Sequence, residues 1–551
     1  MDTKFRWYVV GLIALVLTIY GRTFFYDFTN WDDEKQIVRN DEVLAPVSLE
    51  NTKTIFGTDY FVQSMYQPLT TTSFNLEHKL FGLNASGYHG INLLWHFINI
   101  GLVFWLFQLL LDKRYFSLFA AGVFAIHPLS VEVVAWISAR STLMYSTFFL
   151  AGLIAYILYV KKGLKWSYLW LSFTCFVIAL FSKSMAVTLP AVLLLVDYLL
   201  RRTWSWRWLI EKIPFGLVGL FFVWVTLKGR SEFITRAGQN SDFGMVDAIF
   251  FVPYQIMWYL VKFFIPSNLS ILYRDPSSLN VYHYAAPLVL GILLYILYTR
   301  FKNNREVIFG ALLFLVPILP VIKLNPIGFS LVADRYLYIS GLGILFLLGY
   351  FFSKVKFKKP ESYKPYAFAA GVLLTLFSLQ SFSRVSVWEN STTLWSNTDG
   401  DFANKWLNSG LDKKKMARKL EAEEGLEASR ELYEAAIADF DKAIESYSKY
   451  WKAYYNRANC KIRLKDFSSG MEDYTKAIDH VTEDDRKNPR KQKDLAKLYY
   501  ARGYFNFTRY KKYHEALDDF NNALAMDPEH ANAIKFKQRL LAKMNLNLPG
   551  S

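Results

Sequence analysis

Cysteine is nearly absent. The chain has two in 551 residues, Cys175 and Cys460. They fall in regions of different character, so neither a disulfide framework nor a zinc site is indicated. Charge is also scarce, at 20% of residues against 53% hydrophobic and 18% aromatic. That balance is too apolar for a soluble protein of this length. No small-x-small cleavage signal follows the first apolar run. "IYGRTFFYDF" (19–28) is bulky, so the run, preceded by Lys4 and Arg6, is expected to remain as an uncleaved first helix.

What the chain has instead is apolar blocks of roughly 15–22 residues, enough to span or nearly span a bilayer. Candidate membrane helices fall at 5–20, 89–111, 116–135, 142–160, 166–181, 185–200, 209–227, 285–299, 306–322, 335–352 and 366–384. The net charge of +16 does not point to nucleic acid. Residues 385–551 hold 29 basic and 26 acidic residues, so only +3 lies there. The rest sits largely in short loops: "DKR" (112–114), "KKGLK" (161–165), "RRTWSWR" (201–207), "RFKNNR" (300–305) and "KVKFKKPESYK" (354–364). These are alternate loops, as the positive-inside bias requires. The segment 249–265 is apolar enough to cross. A crossing there would put the later basic loops outside, so it is expected to be re-entrant or interfacial. The region after Trp388 then lies outside the cytoplasm.

That region repeats. "ADFDKAIE" (438–445), "EDYTKAID" (472–479) and "DDFNNALA" (518–525) align. Ala443 to Ala477 is 34 residues, the tetratricopeptide period, and Ala477 to Ala523 is 46, the period plus an insertion of 12. The charged stretch 483–494 supplies that insertion. Helix pairs of this period stack into a solenoid with a concave groove. The expected fold is all-α: about eleven transmembrane helices in residues 1–388, a first extracytoplasmic loop at 21–88, and a tetratricopeptide-repeat (TPR) solenoid at 389–551.

Polar residues near the membrane gather on one side. Asp32 and Asp33 follow the first helix, and Tyr66 and Gln67 close the same loop. His127, Glu132 and Arg140 lie at the next outward turn, Lys183 at the one after, and Asp334, Arg335, Tyr336 and Tyr338 at another. Ionisable groups near a bilayer are costly and usually mark a site or an ion pair. Adjacent carboxylates in a loop can converge, to take a proton from a hydroxyl or to hold a divalent cation. Arg and Lys suit a phosphate or pyrophosphate at headgroup depth. Together these imply a lipid-phosphate donor and a hydroxyl acceptor. Each residue also has a plainer structural reading: His127 as a turn cap, Glu132 and Arg140 as an ion pair, Lys183 snorkelling to the interface, Tyr66 and Gln67 as packing and capping groups.

The acidic pair, "YQPLTTTSF", "GYHGINLLWHFIN", "HPLSVEVVAWISAR", "SKS", "ADRYLY" and the C-terminal repeats, in that order, resemble the transmembrane-and-TPR-containing O-mannosyltransferases and their bacterial relatives. These are polytopic glycosyltransferases of the GT-C fold. The resemblance implies a polyprenyl- or dolichyl-phosphate-linked sugar as donor and an extracytoplasmic protein Ser or Thr as acceptor, held by the TPR groove. It places the catalytic acids on Asp32 and Asp33, with Asp32 favoured as the base. It places the donor phosphate on Arg335 and Tyr336, with Arg140 and Lys183 as further cations, and marks His127 and Glu132 as site residues. Two positions depart from the family. Its Lys-Glu is here Lys183-Ser184, and its Tyr-Arg-Pro is here Tyr66-Gln67-Pro68. A divalent cation (Mg or Mn) at Asp32 and Asp33 is permitted by the chemistry and not required. The expected location is a bacterial inner membrane with the repeats in the periplasm, or an endoplasmic-reticulum membrane with the repeats in the lumen. Three other readings compete: an oligosaccharyltransferase using a lipid-pyrophosphate glycan, a non-catalytic membrane scaffold, and a transporter. The transporter would place charges at mid-helix, where the sequence has few.

Overall fold

In a computed structural model of the chain, residues 3–203, 205–238, 245–273, 278–324, 330–355, 363–398, 402–487 and 489–545 are described. Residues 356–362 of the expected basic loop 354–364 and the outward residues 325–329 lie outside them. The chain divides into two compact units, Met1–Asp399 and Gly400–Ser551. The first therefore runs past the expected edge at 388, because Trp388 stacks on Trp136 and the helix Ser391–Ser396 sets Trp395 against Trp31.

The first unit is a helical bundle. Among the described residues seven of its helices are long and apolar enough to cross a membrane, or eight if one bent pair counts as a span. The bend is 53°, between Arg114–Ile126 and Pro128–Ala135. It breaks the continuous span expected at 116–135, because Pro128 cannot donate the backbone hydrogen bond a straight helix needs. His127 instead caps the next turn, accepting from Leu129 N. Trp166–Ser182, Ser184–Leu199 and Ala248–Phe264 are shorter apolar helices.

The ends of these helices sort by charge. Arg140–Lys161 begins among polar residues and ends at Lys161, which reaches the carbonyl of Leu109 near the "DKR" loop. Leu337–Lys354 follows Arg335 and ends at Lys354. Ala248–Phe264 stays at the polar end throughout. Phe251 meets His283 at the start of Val281–Phe301, Gln255 bonds the backbone of Lys323, Tyr259 bonds Ala333 N, and the carbonyl of Phe263 bonds His127. It lies along one end of the bundle rather than through it, as the loop charges require.

The second unit is a run of antiparallel helices: Ala403–Glu424 with Leu426–Ser446, Trp451–Arg463 with Phe467–Asp479, Pro489–Phe505 with Tyr513–Met526, then Ala531–Asn545. The aligned motifs occupy equivalent places. Asp439, Asp473 and Asp519 are buried, followed in each case by a buried aromatic, Phe440, Tyr474 or Phe520. Each aspartate pairs with a cation of the preceding helix, Lys413 at 2.6 Å, Arg457 at 2.6 Å and Arg502 at 2.8 Å. Such pairs fix the register of one helix on the next, since a buried carboxylate without its partner would be costly. The first helices, of 22 and 21 residues, are longer than the 13-residue second pair.

Candidate active site

Residues from five parts of the first unit meet in a cavity of about 110 Å³ at its polar end. Among the described residues its charged lining is one carboxylate, Asp32, and three cations, Lys183, Arg230 and Arg335. Gln36, Tyr66, Gln67, Trp136, Ser138, Thr142, Ser184 and Tyr336 also line it.

The adjacent acids do not converge. Asp33 is buried and turned away from the cavity. One of its oxygens accepts from Thr29 N and Oγ1, both at 2.9 Å. The other accepts from Ser138 N at 3.0 Å and from Ser138 Oγ. Four donors on two oxygens occupy it fully, so it ties the first loop to the turn that carries Trp136 and Ser138. Burial pushes its carboxyl up to about 6, against the pull of those hydrogen bonds. Asp32 faces the cavity and accepts from Gln63 Nε2. Burial raises its carboxyl above the usual range, partly offset by Gln63, Lys35 and Arg335. A metal held jointly by Asp32 and Asp33 does not fit this arrangement, since Asp33 has no oxygen to spare. Among the described residues no three His, Cys, Asp or Glu side chains group to hold one.

The expected cations separate in the same way. Arg335 lines the cavity, and Glu132 behind it holds both its guanidinium, at 2.5 Å, and its backbone N–H, at 3.1 Å. Lys183 donates to Thr142 Oγ1 at 2.7 Å. Burial and the charges of Arg335 and Arg230 push its ammonium down to about 7, with Glu132 opposing. Arg140, expected at the phosphate, is fully buried elsewhere. Its donors go to Glu77, Asn92, Ser73 and the carbonyl of Tyr88, which leaves none for a ligand. His127 is buried between Phe263 and Phe377 and also lies off the cavity. Tyr66 caps the carbonyl of Phe56 at 2.9 Å and presents its ring to the cavity wall with Gln67.

Sequence reasoning missed Arg230, Ser138, Gln36 and Gln63. Arg230 lies inside the long helix Ile213–Gly238, about two turns before its end, where the motif "KGR" reads like an interfacial anchor. The glycine before it was the available signal. A Cβ on Gly229 would lie 2.5 Å from the Phe61 ring and 3.2 Å from the carbonyl of Ser64, so glycine there lets this helix close on the first loop.

No protein-family model matches the chain. It is 23% identical to human (Homo sapiens) protein O-mannosyl-transferase TMTC3, over 95% of this chain and 68% of that protein. It is 32% identical to human protein O-mannosyl-transferase TMTC2, over 33% of this chain and 23% of that protein. Among solved structures it is similar to ArnT from Cupriavidus metallidurans bound to undecaprenyl phosphate, with a TM-score of 0.39 and 12% identity over 86% of this chain and 81% of that one. The curated relatives thus carry the name of one class of enzyme, the glycosyltransferases. In particular, the chain is a relative of the protein O-mannosyl-transferases, the family its motifs resemble.

Proposed function

We propose that the protein moves a sugar from a polyprenyl-phosphate-linked donor to a Ser or Thr hydroxyl of a protein on the extracytoplasmic side of the membrane. The observation that carries this reading is the carboxylate of Asp32 set, among the described residues, against three cations in one cavity at the polar end of a membrane bundle. The lipid phosphate is the leaving group on the anomeric carbon. Arg335, Lys183 and Arg230 neutralise the charge that grows on it as the bond breaks. Asp32 takes the proton of the acceptor hydroxyl as its oxygen bonds to the anomeric carbon. A single displacement of this kind inverts the anomeric configuration. The resident cations suffice for the phosphate without a metal.

The names of the curated relatives support a protein acceptor. The helix pairs of the second unit carry the tetratricopeptide period, and their groove would hold the acceptor chain and raise its local concentration. The test is to incubate purified protein with radiolabelled polyprenyl-phosphate sugars and an extract of envelope proteins. Label in protein is the expected result. Label only from pyrophosphate-linked glycans would favour an oligosaccharyltransferase. No label from any donor, with proteins still retained by the second unit, would favour the scaffold.

A further inference from the structure

Three glutamines run in line to the carboxylate of Asp32. Gln67 Nε2 donates to Gln36 Oε1 at 3.1 Å, Gln36 Nε2 donates to Gln63 Oε1 at 3.3 Å, and Gln63 Nε2 donates to Asp32 Oδ1. The direction of this chain is dictated at one end. An ionised carboxylate only accepts, so Gln63 must turn its nitrogen to Asp32. Its oxygen then faces Gln36, which must present nitrogen, and Gln36's oxygen in turn selects the nitrogen of Gln67. Aligned donors polarise one another and strengthen the last bond in the series.

The backbone that holds the chain is irregular at both contributing points. Gln36 sits within a π-helical turn, Glu34–Val38, and such turns recur at functional sites. Gln63 and Ser64 both have left-handed φ values, 50° and 65°. They form the two-residue tip of a hairpin closed by Val62 and Met65, whose backbone groups bond each other at 3.1 and 2.9 Å. That tip normally takes Asn-Gly, because side chains resist φ above zero. Keeping a glutamine there costs backbone strain, and the side chain so placed meets Asp32.

We propose that Gln63, Gln36 and Gln67 are positioning residues for Asp32: the amide chain fixes one carboxylate oxygen, holds the acid ionised inside a buried cavity, and leaves the other oxygen to receive the acceptor proton. The base role rests on the reading above; the orienting and ionising role does not. Gln67 stands where the family motif has arginine. A neutral amide there extends the chain without adding a fourth cation beside the base, which would lower its proton affinity.

The test reads the ionisation of Asp32 directly. A hydrophobic carbodiimide labels protonated carboxyls, so labelling of Asp32 is followed by mass spectrometry against pH in the full-length protein in detergent. Wild type is compared with Gln63→Met and with Gln36→Met; residue 36 bonds Asp32 only through its backbone N–H, to the Asp32 carbonyl at 2.9 Å, and its side chain reaches the carboxylate only through Gln63. The expected result is a labelling midpoint raised by about one pH unit in Gln63→Met and by less in Gln36→Met. The acid limb of kcat for transfer should move with it, while KM for the donor stays within about twofold. An unmoved midpoint in both variants, each still folded by size-exclusion chromatography, would overturn the proposal. If wild type transfers no sugar to protein, the functional reading fails, and the midpoints still decide the role of the amides.

Discussion

Glu132 holds Arg335 at two points, accepting from the guanidinium at 2.5 Å and from the backbone N–H at 3.1 Å. The carboxylate is buried and the guanidinium reaches the cavity, so the acid aims the cation rather than meeting a ligand itself. Glu132→Gln keeps one acceptor and loses the charge pairing. The donor KM is expected to rise roughly tenfold, about 1.4 kcal/mol, with a smaller change in kcat. Steady-state kinetics with the lipid-linked donor checks this.

Arg140 and Glu77 form a fully buried pair, with side chains 0% and 6% exposed. Removing one partner of such a pair costs about 3–5 kcal/mol. Glu77→Ala and Arg140→Ala are therefore expected to lower thermal stability in detergent severely. The double replacement by apolar residues should recover part of it. A phosphate-binding Arg140 would instead show intact stability and a raised donor KM.

Lys183 gives the site a pH dependence. Its ammonium is pushed down to about 7 by burial and by Arg335 and Arg230. The lysine of an unfolded chain keeps its proton up to about 10.4. Below about 7 both states are protonated and the folded state bears the whole penalty. Above it the folded state releases its proton first, so stability rises with pH until the unfolded lysine also titrates. Donor binding moves the other way and weakens as the charge is lost. Thermal melts and donor KM measured from pH 6 to 9 test both signs, and Lys183→Arg should flatten both profiles.

Gly229 lets the helix that carries Arg230 approach the first loop, since a methyl there would meet the Phe61 ring at 2.5 Å. Gly229→Ala is expected to displace Arg230 and cost roughly tenfold in kcat/KM, in line with the sensitivity of positioned groups to small shifts. Stability should change little. Enzyme kinetics beside a thermal melt distinguishes the two effects.

Much of this could be read in the chain. The apolar blocks and the parity of the basic loops placed the helices and kept Ala248–Phe264 at one end. The Asp-aromatic-x-x-Ala motifs marked the helix pairs of the second unit, because burying an aspartate demands a cation at a fixed distance on the neighbouring helix. Asp32, Lys183 and Arg335 were legible as membrane-proximal charges. The division of labour was not. Asp32 and Asp33 are neighbours in sequence, and only the approach of Ser138, 105 positions on, shows which one is consumed by structure. Arg140 reads as a donor-site cation or as the partner of Glu132, whereas the structure pairs it with Glu77 and gives Glu132 to Arg335. Gln63 has no signature at all, because a left-handed glutamine is set by the hairpin and by its partner, not by local preference.

The central claim is that one acid of the pair does the chemistry and the other holds the loop. Transfer of radiolabelled sugar from a polyprenyl-phosphate donor to protein, measured for wild type, Asp32→Asn and Asp33→Asn alongside their melting temperatures, tests it directly. The expected result is loss of transfer by about 100-fold or more in Asp32→Asn, on the scale of a lost general base, with stability unchanged. In Asp33→Asn an accepting oxygen becomes a donating NH2, so two of the four donors from Thr29 and Ser138 lose their acceptor; this should appear as lowered stability, with transfer largely retained in the folded fraction. Equal transfer in wild type and Asp32→Asn, or loss confined to a stable Asp33→Asn, would contradict the account.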